Sequence, residues 1–98
     1  YSFDFAKAIC QVLGIQGKSG IYNLSQPYSC YSNIEILTKI KKYLRSEIKI
    51  NFGAVSYAPH QVQYMAGNVS RFEPSFGKIP YTNFDFALHN TIDSLQKQ

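Results

Sequence analysis

The sequence predicts an α/β fold, with a short parallel pair of strands and about three main helices, and three stretches predict it. Ile21 to Leu24 is a short apolar run containing Tyr22, which suits a buried strand. Ser32 to Leu44 reads as a helix, and from Glu47 to Gly53 the residues Ile48, Ile50 and Phe52 alternate with Lys49 and Asn51, the period of a strand. Strand, helix and strand in that order make parallel neighbours joined by a right-handed crossover.

Each element has its own local warrant. In the first helix Phe5, Ala8, Ile9, Val12 and Leu13 recur at helical spacing. Ser2 or Asp4 is placed to cap it, and Gly14 to end it in the left-handed conformation. Gly14 to Gly20 is read as a helix-to-strand turn. Its glycines have the spacing of a dinucleotide fingerprint, and Gly17-Lys18-Ser19 looks like the end of a P-loop. Both motifs need a strand before and a helix after, and here that order is reversed. Gln26 and Pro27 stop the first strand, because Pro cannot donate to a ladder.

The central helix opens on a capping box, Ser32 with Glu35 three residues on. Ile36, Leu37, Ile40, Tyr43 and Leu44 form its apolar face, and Glu35 and Lys39 an acid-first pair on the outer one. After Gly53 the chain loosens into a loop carrying Tyr57, Pro59 and His60, followed by a short extended stretch around Val62 and Tyr64. Ser70 and Glu73 predict a second cap, with Pro74 limiting the helix to about a turn. Asn83 caps a last helix whose buried stripe is Phe84, Leu88, Ile92 and Leu95. Asp85/His89 and Asp93/Lys97 are its outer pairs, which puts His89 on the exposed face.

Ninety-eight residues make a single small region, 1–98. The longest apolar run is far too short to cross a bilayer, and the first residues do not read as a charged-then-apolar leader, so no membrane association is expected. Cys10 and Cys30 are too few for a disulfide framework and read as reduced thiols of a cytoplasmic protein. The net charge is +4, but Lys39, Lys41, Lys42 and Arg45 fall on the solvated face and last turns of one helix, where cations suit the macrodipole.

Chemistry-bearing residues are sparse. Cys10, Cys30, His60 and His89 lack the paired spacing of a metal site, and nothing places a base beside Cys30. Tyr22, Tyr28 and Tyr31 cluster near the strand end and read as packing residues. Asn23-Leu24-Ser25 and Asn68-Val69-Ser70 match the glycosylation sequon, which matters only in a secreted chain.

Six segments in order resemble one family. Tyr1-Ser2-Phe3-Asp4-Phe5-Ala6-Lys7-Ala8 is similar to its Tyr-x-x-Asp-Val-Ala-x-Ala, and Gly20-Ile21-Tyr22-Asn23-Leu24-Ser25 to its Gly-x-Tyr-Asn-Ile-Gly strand. Ser32-Asn33-Ile34-Glu35-Ile36 looks like its Ser-Val-x-Glu-Ile helix start, Asn68-Val69-Ser70-Arg71 like its Asp-x-Ser-Lys, and Phe76-Gly77-Lys78-Ile79-Pro80 like its Leu-Gly-Trp-x-Pro. Phe84 to Ile92 resembles its closing Leu-Glu-Glu-Gly-Leu helix, with Ala87 in the Gly position. The family is the extended short-chain dehydrogenase/reductases, the NAD-dependent nucleotide-sugar epimerases and dehydratases, and the likeness is to their C-terminal part.

The resemblance implies a small C-terminal substrate-binding lobe of a longer protein, lacking the Rossmann nucleotide-binding core. Neither the family's Tyr-x-x-x-Lys pair nor its Gly-rich strand–turn–helix occurs in this sequence. The chain is therefore expected to be non-catalytic and cofactor-free by itself. NAD or NADP would serve an intact parent acting as an oxidoreductase, isomerase or lyase. Its implied partners are a nucleotide-sugar and the N-terminal Rossmann domain of the same parent, with self-association through an exposed docking face and no nucleic acid. The family often carries Arg-Pro-Gly-Asp, whose Arg holds the diphosphate. Ala58-Pro59-His60-Gln61 stands there instead, which makes Tyr57, His60 and Gln61 the candidate substrate-binding residues. An alternative is a self-contained basic α/β binding module for nucleic acid or a protein partner, carried by Lys39, Lys41, Lys42, Arg45 and the tyrosines. A third reading is a structural piece that only folds and packs.

Overall fold

The structure is a computed structural model that describes residues 1–26 and 30–98. It corrects the predicted α/β class: the described residues hold four helices and no strand. These are α1 (Ser2–Gly14), α2 (Asn33–Leu44), α3 (Phe72–Phe76) and α4 (Phe84–Gln96). The predicted stop at Pro27, and Tyr28, lie outside the described residues. The chain divides into two compact units, Tyr1–Cys30 with Ala66–Ala87, and Tyr31–Met65 with Leu88–Gln98.

The missing strands have a physical reason. A strand exists through its ladder, and two short segments without further strands are marginal even when paired. Ile21 is 84% exposed and Ile48 71%, so neither predicted strand buries both of its faces. The period-2 pattern still operates in the first segment: Tyr22 and Leu24 pack on the core while Ile21 and Asn23 face solvent.

The core of the first unit is Ala8 of α1, Val69, Phe72 and Phe76 at α3, and Ile79, with Val12, Tyr22, Leu24 and Tyr81 against it. Tyr22 meets Phe76 edge-on, with ring centroids 5.1 Å apart, a favoured aromatic geometry. Gln11 Nε2 donates to the Phe76 carbonyl at 2.7 Å and to that of Lys78 at 3.2 Å, tying α1 to the exit of α3. Gly77 makes that exit at φ 87°, a conformation that favours glycine, and its N–H donates to the Glu73 carbonyl at 2.7 Å. Gly17 lies so close to Phe76 that a Cβ would fall 2.3 Å from the ring.

α1 departs from its predicted face. Neither Ser2 nor Asp4 caps it, and Gly14 is its last residue rather than a left-handed stop. Asp4 and Ala8 are buried, whereas Phe5, Ile9 and Leu13 are exposed. Ser70 is not a cap either: its N–H donates to Asn68 Oδ1, and Arg71 stands at the α3 N-cap with no side-chain cap bond.

In the second unit α2 begins as predicted. Ser32 N donates to Glu35 Oε2 at 2.7 Å and Glu35 N to Ser32 Oγ at 3.2 Å, the reciprocal capping box. The Ser32 backbone bond, with the hydroxyl, holds the Glu35 carboxyl below its usual range. Arg45 closes the helix at φ 50°, with Ser46 N donating to the Lys41 carbonyl. Ile36, Ile40 and Tyr43 are half-buried, while Leu37 and Leu44 stay exposed.

Within the same unit the C-terminal part of α4 supplies buried Ile92. His89 is not on an open face as predicted: its ring stacks on Tyr43 at 3.9 Å and 8°. Tyr43 donates its hydroxyl to Asp93 Oδ1 at 2.8 Å, a bond that, with burial, raises the phenol's pKa. Leu95, predicted as buried, is exposed. At the start of α4, Asn83 Oδ1 accepts from Phe86 N at 3.2 Å, as its cap position predicts.

Replacing Ser32 by Ala is expected to cost about 1 kcal/mol and to lower α2 content. Urea denaturation followed by circular dichroism measures both, and an unchanged midpoint would show that the capping box does not hold the helix.

Candidate functional site

Of the three residues singled out from the sequence, His60 and Gln61 lie in one exposed turn and Tyr57 directly precedes it. Gln61 N donates to the Ala58 carbonyl at 3.0 Å and Ala58 N to Gln61 Oε1 at 3.2 Å, so the Gln61 side chain closes the turn that presents Pro59 and His60. Tyr57, directly before it, is 69% exposed. None of the three lines the cavities of the first unit. Tyr57, His60 and Gln61 are all exposed.

A partly enclosed hollow lies elsewhere. A cavity of about 170 Å³ lies in the first unit, walled by Tyr1, Phe5 and Ala8 of the α1 region and by Leu24 and Ile79. Asp4, Ser25, Gln26 and Tyr81 line it as well. Asp4 is 8% exposed. Its Oδ2 accepts from Thr82 N at 3.0 Å. Its Oδ1 accepts from Thr82 Oγ1 at 2.6 Å and from Lys7 Nζ at 3.3 Å. Burial pushes the Asp4 carboxyl up, but the Thr82 bonds and Lys7 outweigh it and hold the group below the ordinary aspartate range. The carboxylate is thus ionised at neutral pH.

Tyr81 donates its hydroxyl to the Ser25 carbonyl at 2.6 Å. Burial, and then the negative fields of Glu73 and Asp4, raise its pKa, so it stays a neutral phenol. Ser25 Oγ is buried without a hydrogen-bond partner. It presses on Gly67, where a Cβ would fall 2.2 Å from it. Buried hydroxyls are nearly always paired, and an orphan costs about 1–3 kcal/mol.

Asp4 is legible in sequence only as a cap candidate, because its partner Thr82 lies 78 residues away. Nothing in the sequence marks Ser25 or Tyr81. The Gly14–Gly20 segment follows helix α1 and runs into irregular chain, so no helix N-terminus faces it as a phosphate loop requires. Tyr22 donates its hydroxyl to the Lys18 carbonyl there, and Arg71 sits 5.1 Å over the Tyr22 ring. No group of three or more His, Cys, Asp or Glu residues suited to a metal ion occurs among the described residues. No helix among them is long and apolar enough to cross a membrane.

Comparison with protein-family models, with curated proteins and with solved structures found no match.

Replacing Asp4 by Ala is expected to cost about 2–3 kcal/mol at neutral pH, the value of hydrogen bonds to a charged group. The Asp4 pKa is lower in the folded state than in the unfolded chain. Its stabilisation is therefore present above the unfolded value, near pH 4, and is lost as pH falls through the folded one. Denaturation midpoints measured from about pH 5 downward should fall less steeply in Asp4→Ala than in the unaltered chain. Equal slopes would remove Asp4 from the acid response.

Proposed function

We propose that this chain is the sugar-nucleotide-binding part of a cytoplasmic NAD(P)-dependent epimerase or dehydratase, non-catalytic without a Rossmann domain that brings the cofactor and the Tyr/Lys acid–base pair. The observation that carries this reading is the run of six family-like segments in family order, from Tyr1-Ser2-Phe3-Asp4 to the helix at Phe84–Ile92.

Two structural facts support it. Phe5, Ile9 and Leu13 leave an apolar stripe of α1 exposed, the kind of face that a docking domain covers. The exposed turn with Tyr57, His60 and Gln61 offers what a nucleotide needs without an arginine clamp. The Tyr57 ring stacks on a base, while His60 and Gln61 give hydrogen bonds. With Ala58 in place of the arginine, no charged fork grips the diphosphate. Affinity for the nucleotide alone is therefore weak, and the Rossmann partner supplies the rest.

Titration of the chain with uridine and thymidine diphosphates, followed by amide NMR, tests the reading. Shifts centred on Tyr57, His60 and Gln61, weakened in His60→Ala, are expected. Nucleotides that move no signal in that turn would overturn it. Binding to a single-stranded oligonucleotide that falls steeply with salt would favour the basic module on α2 in its place.

A further inference from the structure

We propose that the open hollow at Gly17–Gly20 is a binding site for a small aromatic phosphate. It lies within the first unit, has a volume of about 600 Å³, and is lined by Lys18, Ser19 and Gly20 together with apolar Val12, Ile15 and the Tyr22 ring. That volume is in the range of small-molecule sites, about 300–1,000 Å³. Its lining holds Lys18 and no Asp or Glu. A second cation stands beside it: Arg71 Nη2 lies 2.9 Å from the point where a Cβ on Gly20 would fall. Glu73, two residues further on, acts on Tyr81 and does not line the hollow.

Arg71 turns this basic surface into an anion receptor. Its Cζ sits 5.1 Å from the centroid of the Tyr22 ring, a contact that uses none of its five N–H donors. Among the described residues no acceptor meets those donors, and no carboxylate pairs with Lys18. Tyr22 holds both cations in one place. Its ring carries Arg71, its hydroxyl donates to the Lys18 carbonyl, and Phe76 meets it edge-on at 5.1 Å. Gly20 leaves the room that the guanidinium occupies. An arginine placed in advance in this way loses less rotamer freedom on binding than one free in solvent. Its fork takes two oxygens of a phosphate or carboxylate. Two cations with no acid in the lining match a dianion better than a monoanion, which selects the phosphate. Val12, Ile15 and the Tyr22 ring give an aromatic body a surface to cover. The recognition is by side chains, so it needs no helix N-terminus.

This inference goes beyond the nucleotide-sugar reading and does not depend on it: its residues lie in the first unit, and the Tyr57–Gln61 turn lies in the second. The test is amide NMR of the whole chain titrated with phenyl phosphate, with inorganic phosphate and benzyl alcohol as controls at matched ionic strength. Saturable shifts at Lys18, Ser19, Gly20, Tyr22 and Arg71, with a millimolar dissociation constant, are expected from phenyl phosphate. Inorganic phosphate should bind more weakly and benzyl alcohol should not saturate. No shift there by about 20 mM, equal shifts from benzyl alcohol, or shifts confined to Tyr57, His60 and Gln61 would overturn the proposal. Arg71→Gln should keep the melting temperature, since Arg71 is exposed, and weaken phenyl phosphate about tenfold. Gly20→Ala retains both charges but puts a methyl group where the guanidinium sits, and should weaken binding about threefold. Either variant binding phenyl phosphate as the unaltered chain does would remove Arg71 from the site and the proposal with it.

Discussion

A buried carboxylate governs how the first unit is assembled. Asp4 faces inward with two of its partners on Thr82, one from the backbone and one from the hydroxyl. Burying a charge is tolerated only when it is fully hydrogen-bonded, so this contact dictates the rotation of α1. Ala8, Gln11 and Val12 lie at helical spacing from Asp4 and turn inward with it. Ala8 then enters the Phe72–Phe76 cluster, and Gln11 reaches the carbonyls of Phe76 and Lys78. Phe5, Ile9 and Leu13 are carried to the outside by the same rotation. The apolar spacing alone would have turned Phe5, Ile9 and Leu13 inward together with Ala8 and Val12.

What was legible in the sequence was local. The Ser32–Glu35 box and the Asn83 cap each rest on side chains within three residues of the backbone they bond, and both formed as their spacing predicts. What was illegible was partnership at a distance. Tyr22 and Leu24 alternate inward as a strand would, yet no neighbouring strand among the described residues gives them a ladder. The outer face assigned to His89 failed because its neighbour is an aromatic ring, Tyr43, which accepts a flat stack where an aliphatic side chain would have left the imidazole to solvent. Of the candidate site, the turn at Ala58–Gln61 could be found by position. The Asp4 cavity could not, since its walls come from three separate stretches of chain.

The glycines of the misleading Gly14–Gly17–Gly20 spacing show why a motif needs its context. Gly14 has open space at its Cβ position and ends a helix without a left-handed turn. Gly17 is small because the Phe76 ring occupies the place of its side chain. Gly20 lies against the Arg71 guanidinium, which the Tyr22 ring supports from below. Close packing therefore accounts for Gly17 and Gly20 separately, and nothing in the structure explains Gly14.

The pattern of exposed apolar residues bears on the proposed partner. Seven hydrophobic residues are buried among those described: Ala8, Val69, Phe72, Phe76, Ile79, Ala87 and Ile92. Against them stand Phe5, Ile9, Leu13, Ile21, Ile48 and Phe52, all exposed. These six belong to the elements whose spacing reads most clearly as helix face or strand. Singly exposed hydrophobes are ordinary on a protein surface, whereas Phe5, Ile9 and Leu13 share one side of α1. Under the proposed reading, the exposed Phe5, Ile9 and Leu13 stripe of α1 is the face that a docking domain would cover.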